Sequence, residues 1–307
     1  MSETICTIKN VDKHFGHFQA LNHVSLTIGK GDIYGLIGEN GAGKTTLMRL
    51  MTGLSPLQTG DIELLGEHVG HASRSLSRIG AVIESPALFE KLTVAQNLKV
   101  CAIQHGQGSQ QEIDETIAFV GLTAKRNTKA KNLSLGQRQR LGLGLAILPH
   151  PDFLILDEPI NGLDPTGIME FRALLQRLNQ EQHVTILISS HILTELYQVS
   201  TRFGILHHGT LIKELTKAEL DEANQAGLLI TVDDTAKTAR LLDQAHITPF
   251  QVQDRTHILI MQKDADAGLI NHTLVSGGIV VEDFSHRASS LEDYYTHLLQ
   301  EAEGAVK

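Results

Sequence analysis

The chain has 307 residues, 41 % hydrophobic and 20 % charged, with a formal net charge of −9, which provides core enough for one large and one small domain. No apolar run approaches the about 20 residues of a membrane span. The opening residues lack the basic and long apolar regions of a secretory leader. Cys6 and Cys101 stand apart, as expected in a reducing cytoplasm rather than in a disulfide framework. From Leu220 onward there are 14 acidic and 6 basic residues, so −8 of the −9 lies there. That balance argues against nucleic acid or anionic lipid as a partner.

In chain order, Ile5–Lys9 and Leu21–Ile28 read as two strands around a polar turn containing Phe15 and Gly16, with clean alternation in Val24–Ile28. Phe15 is either plain core or a ring that stacks on a base. Asp32–Ile37 is a β-like run, and Thr46–Met51 is helix-like. Between them Gly38 to Thr45 reads Gly-Glu-Asn-Gly-Ala-Gly-Lys-Thr, the spacing of a phosphate-binding P-loop. Gly38, Gly41 and Gly43 let the backbone curl with its amides toward a phosphate, and the helix starting near Gly43 adds its positive end. Lys44 would reach the β and γ phosphates, and the Thr45 hydroxyl would hold Mg²⁺. The chain is therefore expected to bind a nucleoside triphosphate through Gly38, Glu39, Asn40, Gly41, Ala42, Gly43, Lys44, Thr45 and Thr46.

Strands follow at Gly60–Gly66 and Ile79–Ile83, then Glu84-Ser-Pro, then a region of helical periodicity to about Pro149. Thr93 reads as a helix cap, Gln104–Gln111 as a loop and Ile113–Val120 as a helix. Ser134 caps a further helix whose first-turn amides Gly136 leaves open. Phe153–Leu156 is a buried parallel-type strand carrying Asp157 and Glu158 at its C-terminal end, where ligands of α/β sheets sit. Asp157 would hold Mg²⁺ and Glu158 would polarise an attacking water. Asn161–Pro165 is a turn, Ile168–Leu178 a helix, and Val184–Ser190 a buried strand ending at His191, placed on the same sheet edge as Asp157. Phe203–Leu206 and Thr210–Lys213 form a hairpin. The overall pattern is a parallel-sheet α/β core with an antiparallel β annex and a helical insert at about 85–150.

Beyond it, Leu228–Val232, Ala236–Ala245, Phe250–Gln253, His257–Met261, Ala265–Val275, Ile279–Phe284 and Ser290–Leu299 read β-α-β-β-α-β followed by a last helix. That order suggests a small α+β, ferredoxin-like domain at 220–307, after a domain at 1–219. No residue there looks catalytic. The chain's 16 histidines are scattered. His14 with His17, and His68 with His71, sit in polar turn-like stretches without a Cys or carboxylate set, and are read as surface residues.

In this order, these stretches resemble the ATP-binding subunits of ABC transporters over about residues 4–220. Gly38–Thr45 matches the Walker A motif, Leu133-Ser-Leu-Gly-Gln137 the signature, Phe153–Glu158 Walker B, Asn161–Asp164 the D-loop and His191 the switch histidine. Phe15 lies where that family carries its adenine-stacking aromatic. Two positions depart from the usual pattern: Leu135 stands for Gly in the signature, and Glu84 stands for the usual loop glutamine. With Glu84-Ser-Pro, Glu158-Pro-Ile-Asn-Gly-Leu-Asp-Pro and Ser290-Leu-Glu-Asp-Tyr-Tyr, the chain looks like the bacitracin-resistance and lantibiotic-immunity branch.

The resemblance implies a P-loop NTPase core of ABC ATPase type that hydrolyses ATP with Mg²⁺. Ser134, Gly136, Gln137 and Asp164 would complete the nucleotide site of a second subunit in an ATP-bound homodimer or paired dimer. Glu158 and His191 would serve hydrolysis. Glu84 would lie near Mg²⁺ and the attacking water and begin the loop that senses an integral membrane permease, holding the chain at the cytoplasmic face of the membrane. Soluble ABC ATPases of ribosomes or DNA form a second class, but they generally carry two cassettes or a long coiled-coil insert, and this chain has neither, nor a basic patch for nucleic acid. A non-hydrolysing sensor is disfavoured by Glu158 and His191.

Overall fold

The computed structural model describes residues 3–69, 74–106, 108–223, 227–261, 265–287 and 291–305. His71, Gln107 and Ser290 lie outside them. The chain divides into two units, Met1–Lys217 and Ala218–Lys307.

The first unit is built on a six-stranded sheet in the order Thr210–Thr216, Arg202–His207, Ile33–Ile37, Thr185–Ser190, Phe153–Leu156, Ile79–Val82. Only the outermost Thr210–Thr216 strand runs antiparallel; the other neighbours are parallel. Ile33–Ile37, Phe153–Leu156 and Thr185–Ser190 are buried along their whole length, which explains their largely apolar character; the buried hydroxyls of Thr185, Ser189 and Ser190 are hydrogen-bonded. A second, antiparallel sheet orders Phe18–Gly29, Thr4–Phe15, Thr59–Leu64 and Glu67–His68. The helix Lys44–Met51 buries Leu47, Met48, Leu50 and Met51 in one core with Ile5, Ile8 and Val24 of the annex and Leu36, Phe153 and Leu187 of the central sheet. The start of that helix is thereby fixed from both sides.

The front hairpin is longer than its sequence pattern, because irregular register between Ile8 and His14 breaks the alternation. The polar residues of that stretch bond inward: Asp12 Oδ1 accepts from the His23 N–H at 2.8 Å, and Lys13 Nζ donates to the Pro56 carbonyl at 2.8 Å. What reads as a polar turn is thus paired strand up to Phe15.

The insert holds three helices, Val94–His105, Gln110–Phe119 and Leu135–Ile147, each opened by a capping box: Thr93 with Gln96, Ser109 with Glu112, Ser134 with Gln137. The Ser109 backbone N–H and hydroxyl hold the Glu112 carboxyl below the usual range. The Gln104–Gln111 loop shrinks, since Gly106 closes one helix and Ser109 opens the next. After the Asn161–Asp164 turn the helix runs Pro165–Gln182, starting earlier than its apolar spacing indicates because Asp164 caps it and Pro165 suits its first position. Short helices at Leu193–Tyr197 and Lys217–Ala223 carry no readable periodicity.

The second unit places Phe250–Val252, His257–Ile260, Gly227–Val232 and Val281–Arg287 side by side, all antiparallel, with helices Thr235–Gln244 and Ala267–Ser276 between strands in the chain. This is the ferredoxin-like β-α-β-β-α-β order. Its own core joins Leu228, Ile230 and Val232 to Leu242, Ile258, Ile260, Ile270 and Leu274. A last helix spans Leu291–Ala305.

Candidate functional site

The carboxyl ends of four neighbouring parallel strands deliver the chemistry to one edge of the sheet. Ile33–Ile37 leads into Gly38, Phe153–Leu156 into Asp157 and Glu158, Thr185–Ser190 into His191, and Ile79–Val82 into Glu84. At such an edge the strand carbonyls and helix starts leave room for a ligand.

The loop Gly38–Gly43 is shaped first by its own neighbours. A methyl group on Gly38 would lie 2.4 Å from the Leu206 carbonyl, and one on Gly43 2.7 Å from that of Ala20. Gly43 also has φ 106, so only glycine fits there. These glycines are therefore demanded by packing inside the chain alone. Gly41, at φ 87, has open space on its side-chain face. The Ala42 N–H bonds to the Glu39 carbonyl at 3.1 Å, and the Ala42 carbonyl accepts from the Gly209 N–H at 3.0 Å, which ties the curl down. Glu39 and Asn40 are exposed, and Thr46 is half-buried on the helix.

Lys44 is only 4 % exposed, and its ammonium donates to the carbonyls of Gly38 (2.5 Å) and Glu39 (3.1 Å). Its third neighbour is Glu158 Oε1 at 3.1 Å. Thr45 Oγ donates to Asp157 Oδ2 at 2.7 Å, while Asp157 Oδ1 accepts from Ser189 Oγ at 2.7 Å. The other Glu158 oxygen meets His191 Nδ1 at 3.2 Å and Asn161 Nδ2 at 3.3 Å, and the Glu158 N–H donates to Ser189 Oγ at 2.9 Å. Glu158 has φ 44 and Glu84 φ 62, left-handed backbone at two non-glycine positions of the same site. The Ser85 N–H to Ile83 carbonyl bond of 2.8 Å closes a three-residue turn about Glu84.

Glu84 lines the cavity of about 620 Å³ that Asn40, Thr45, Asp157, Glu158 and Asn161 also line. Its Oε1 is held by Arg49 Nη2 at 2.6 Å, at the end of the Lys44–Met51 helix. Ser134 is exposed; its hydroxyl accepts from the Gln137 N–H, and Gln137 Oε1 accepts from the Ser134 N–H. The box uses those groups, leaving the Leu135 and Gly136 N–H groups as the helix start's donors without an intrahelical acceptor. Phe15 ends its strand 52 % exposed, with Lys13 Nζ over the ring at 5.4 Å from its centroid, so the ring is half open to solvent rather than core. Asp164 Oδ1 is spent on the Gly167 N–H.

The geometry thus joins Lys44, Thr45, Asp157, Glu158 and His191 in one bonded cluster, with Glu84 on the wall. Sequence reading missed three supports: Ser189, which braces both carboxylate residues, Arg49, which holds Glu84, and Asn161 as a Glu158 partner. The signals were slight: a Ser-Ser pair before His191, and the one cation in the Lys44–Met51 helix besides Lys44. Among the described residues no group of three or more His, Cys, Asp or Glu side chains forms a metal site; His68 pairs with Asp61 at 2.7 Å. The buried Asp157 carboxylate beside the Thr45 hydroxyl is nevertheless a hard-oxygen pair, the kind that holds Mg²⁺ jointly with substrate phosphates.

The family described as "ABC transporter" matches residues 21–161. The bacitracin transport ATP-binding protein BcrA of Enterococcus faecalis is 37 % identical, over 97 % of this chain and 97 % of that protein. The lantibiotic transport ATP-binding protein SrtF of Streptococcus pyogenes is 40 % identical over 67 % of this chain and 89 % of its own length. Among solved structures, cbiO1 of Clostridium perfringens, part of an ABC transporter complex, superposes with a TM-score of 0.65 at 25 % identity, covering 72 % of this chain and 92 % of its own. A cassette solved as a dimer bound to ADP and Pi shares the fold, with a TM-score of 0.64 at 23 % identity over 69 % and 99 %.

Proposed function

The chain belongs to the ABC transporter ATP-binding family and is an ATP hydrolase, and we propose that it powers export of a peptide antibiotic of the bacitracin or lantibiotic kind through a separate membrane permease. The observation that carries the substrate class is the likeness to BcrA over 97 % of the chain, which extends through the C-terminal unit. No helix among the described residues is long and apolar enough to cross a membrane, so the pathway would belong to a partner at whose cytoplasmic face this chain works.

In this reading the Gly38–Gly43 amides and Lys44 would hold the β and γ phosphates, the exposed part of the Phe15 ring would meet the base, and Thr45 with Asp157 would hold Mg²⁺. The ion would neutralise charge developing on the transferred phosphoryl group. Lys44 turns its ammonium from Glu158 toward phosphate, which frees Glu158 Oε1 to take a proton from the attacking water. His191 and Asn161 keep the second oxygen oriented. The Leu135 and Gly136 amides, with Ser134, would meet the nucleotide held by a second copy, so two chains close around two ATP molecules.

The test is resistance in cells: the chain, expressed in a sensitive host with the membrane permease that co-purifies with it, is expected to raise the inhibitory concentration of bacitracin or a lantibiotic. No protection against either class would overturn the substrate reading. Glu84 supplies the coupling variant. Its strained turn and its bond to Arg49 link the end of the phosphate-loop helix to the loop before Pro86. Glu84→Ala is expected to keep ATP binding and part of the hydrolysis of the purified complex yet lose most resistance. Glu84→Gln, which retains an acceptor for Arg49, should be milder. Full resistance of Glu84→Ala cells at equal expression would remove the coupling role.

The second unit has its own core, and the residues of the cluster above all belong to the first unit. We assign it a regulatory or dimer-supporting role. A chain ending at Lys217 is expected to bind a fluorescent ATP analogue with unchanged affinity while dimerisation or transport changes; a core unable to bind would contradict a self-standing first unit.

A further inference from the structure

The start of the Leu135–Ile147 helix and the turn after Glu158 interlock through two leucines and two glycines. A methyl group placed on Gly162 would lie 3.0 Å from Leu135 Cδ2, and one placed on Gly136 would lie 3.5 Å from Leu163 Cδ2. Each leucine therefore rests on the bare backbone of the other segment. Leu135 is 49 % exposed, so its remaining surface is not core, and it lines the cavity that Glu158 and Asn161 line. The turn itself is short and internally bonded. The Asn161 N–H donates to the Glu158 carbonyl at 3.2 Å, the Leu163 N–H to Ile160 at 3.2 Å, and Asn161 Nδ2 to Glu158 Oε2 at 3.3 Å. A displacement of Gly162 is passed on within one residue to the amide that orients the Glu158 carboxylate.

We propose that Leu135 is a positioning residue, whose side chain seats the Asn161–Leu163 turn on the helix start and so holds the Glu158 carboxylate of its own chain in place. A glycine at this position would leave Gly162 uncovered and keep the Leu163–Gly136 contact as the remaining one of the two leucine–glycine contacts between the turn and the helix start. The leucine thus ties the helix start, which has amides free for an anion, to the carboxylate of the same subunit. The inference rests on the reading of Glu158 as the general base, and one of its readouts does not.

The experiment uses the full chain with Leu135→Gly, Leu135→Ala and Leu135→Met. Since a misplacement on the order of 1 Å at a reacting group can cost up to 10²-fold, Leu135→Gly is expected to lower kcat about tenfold, Leu135→Ala less, and Leu135→Met about twofold at most. The Kd of a fluorescent ATP analogue for the isolated chain should not move. Hydrogen exchange of residues 158–164 should accelerate several-fold in Leu135→Gly while that of residues 38–46 stays as in the parent, because only the turn loses its seat. In a Glu158→Gln background Leu135→Gly should still form the ATP-bound dimer. Unchanged exchange over 158–164, or kcat of Leu135→Gly within twofold of the parent, would overturn the proposal. Loss of the ATP-bound dimer would overturn it too, by showing that the Leu135 side chain, and not its amide alone, serves the second subunit's nucleotide. Should Glu158→Gln alone hydrolyse normally, the reading of Glu158 fails, while the exchange result still decides whether Leu135 seats the turn.

Discussion

Glu158→Gln is expected to lower ATP turnover by roughly 10²-fold or more, the scale on which a general base contributes, while ATP binds as well as in the parent or better. The direction of the affinity change follows from the geometry. Glu158 Oε1 lies 3.1 Å from the ammonium of Lys44, so the carboxylate would compete with phosphate for that cation. An amide oxygen competes less and does not repel the phosphates. The amide keeps the shape of the side chain, but its one oxygen can accept from Lys44 or from Asn161 Nδ2 and not from both, because these donors meet different oxygens of the carboxylate. What the variant lacks is a site for the proton of the attacking water. Bound ATP that is not consumed should hold two chains together, and size exclusion with ATP should show a doubled mass that is absent without nucleotide. Turnover near the parent's would show that another group carries the proton. In that case the 3.2 Å pair of Glu158 with His191 would have to be read as support for the fold alone.

The part of this site legible in the sequence is the part where one residue type meets one physical demand at a fixed spacing. Gly43, Lys44 and Thr45 could be read because a left-handed residue, a cation and a hydroxyl must follow one another at the helix start. Asp157 and Glu158 were legible because two carboxylates directly after four buried apolar residues have few other uses. The supports were not legible. Ser189 is one hydroxyl among many until the 2.7 Å approach to Asp157 shows its place, and that approach depends on the neighbouring of Phe153–Leu156 and Thr185–Ser190 in the sheet. Arg49 and Glu84 are 35 positions apart and meet only because the phosphate-loop helix ends beside the Ile79–Val82 strand's exit. The hairpin up to Phe15 failed for a different reason. Its bulges shift the two-residue alternation, and Asp12 and Lys13 are buried with partners supplied by His23 and Pro56, so polarity no longer marks the surface. In the second unit the element order was readable, because each strand and helix keeps its own period around a small separate core.

Lys44→Ala is expected to act at the earlier step and weaken ATP binding itself. The ammonium is almost wholly enclosed and makes three charge-assisted contacts, to the Gly38 and Glu39 carbonyls and to Glu158. Hydrogen bonds to charged groups contribute about 1.5–3 kcal/mol each, so losing even the phosphate's share of such contacts should weaken ATP binding by roughly 10²-fold. The variant also leaves the Glu158 carboxylate near its former partner with no cation beside it, which disfavours an incoming polyphosphate and costs stability. These two effects separate in the double variant Lys44→Ala/Glu158→Gln. Removing the unpaired charge should restore part of the melting temperature lost in Lys44→Ala, whereas ATP affinity, read with a fluorescent analogue by equilibrium titration, should stay low because no ammonium remains to meet the phosphates. Recovery of near-parental affinity in the double variant would mean that Lys44 serves only to neutralise Glu158. The phosphate would then be held by the Gly38–Gly43 amides and the start of the Lys44–Met51 helix without it.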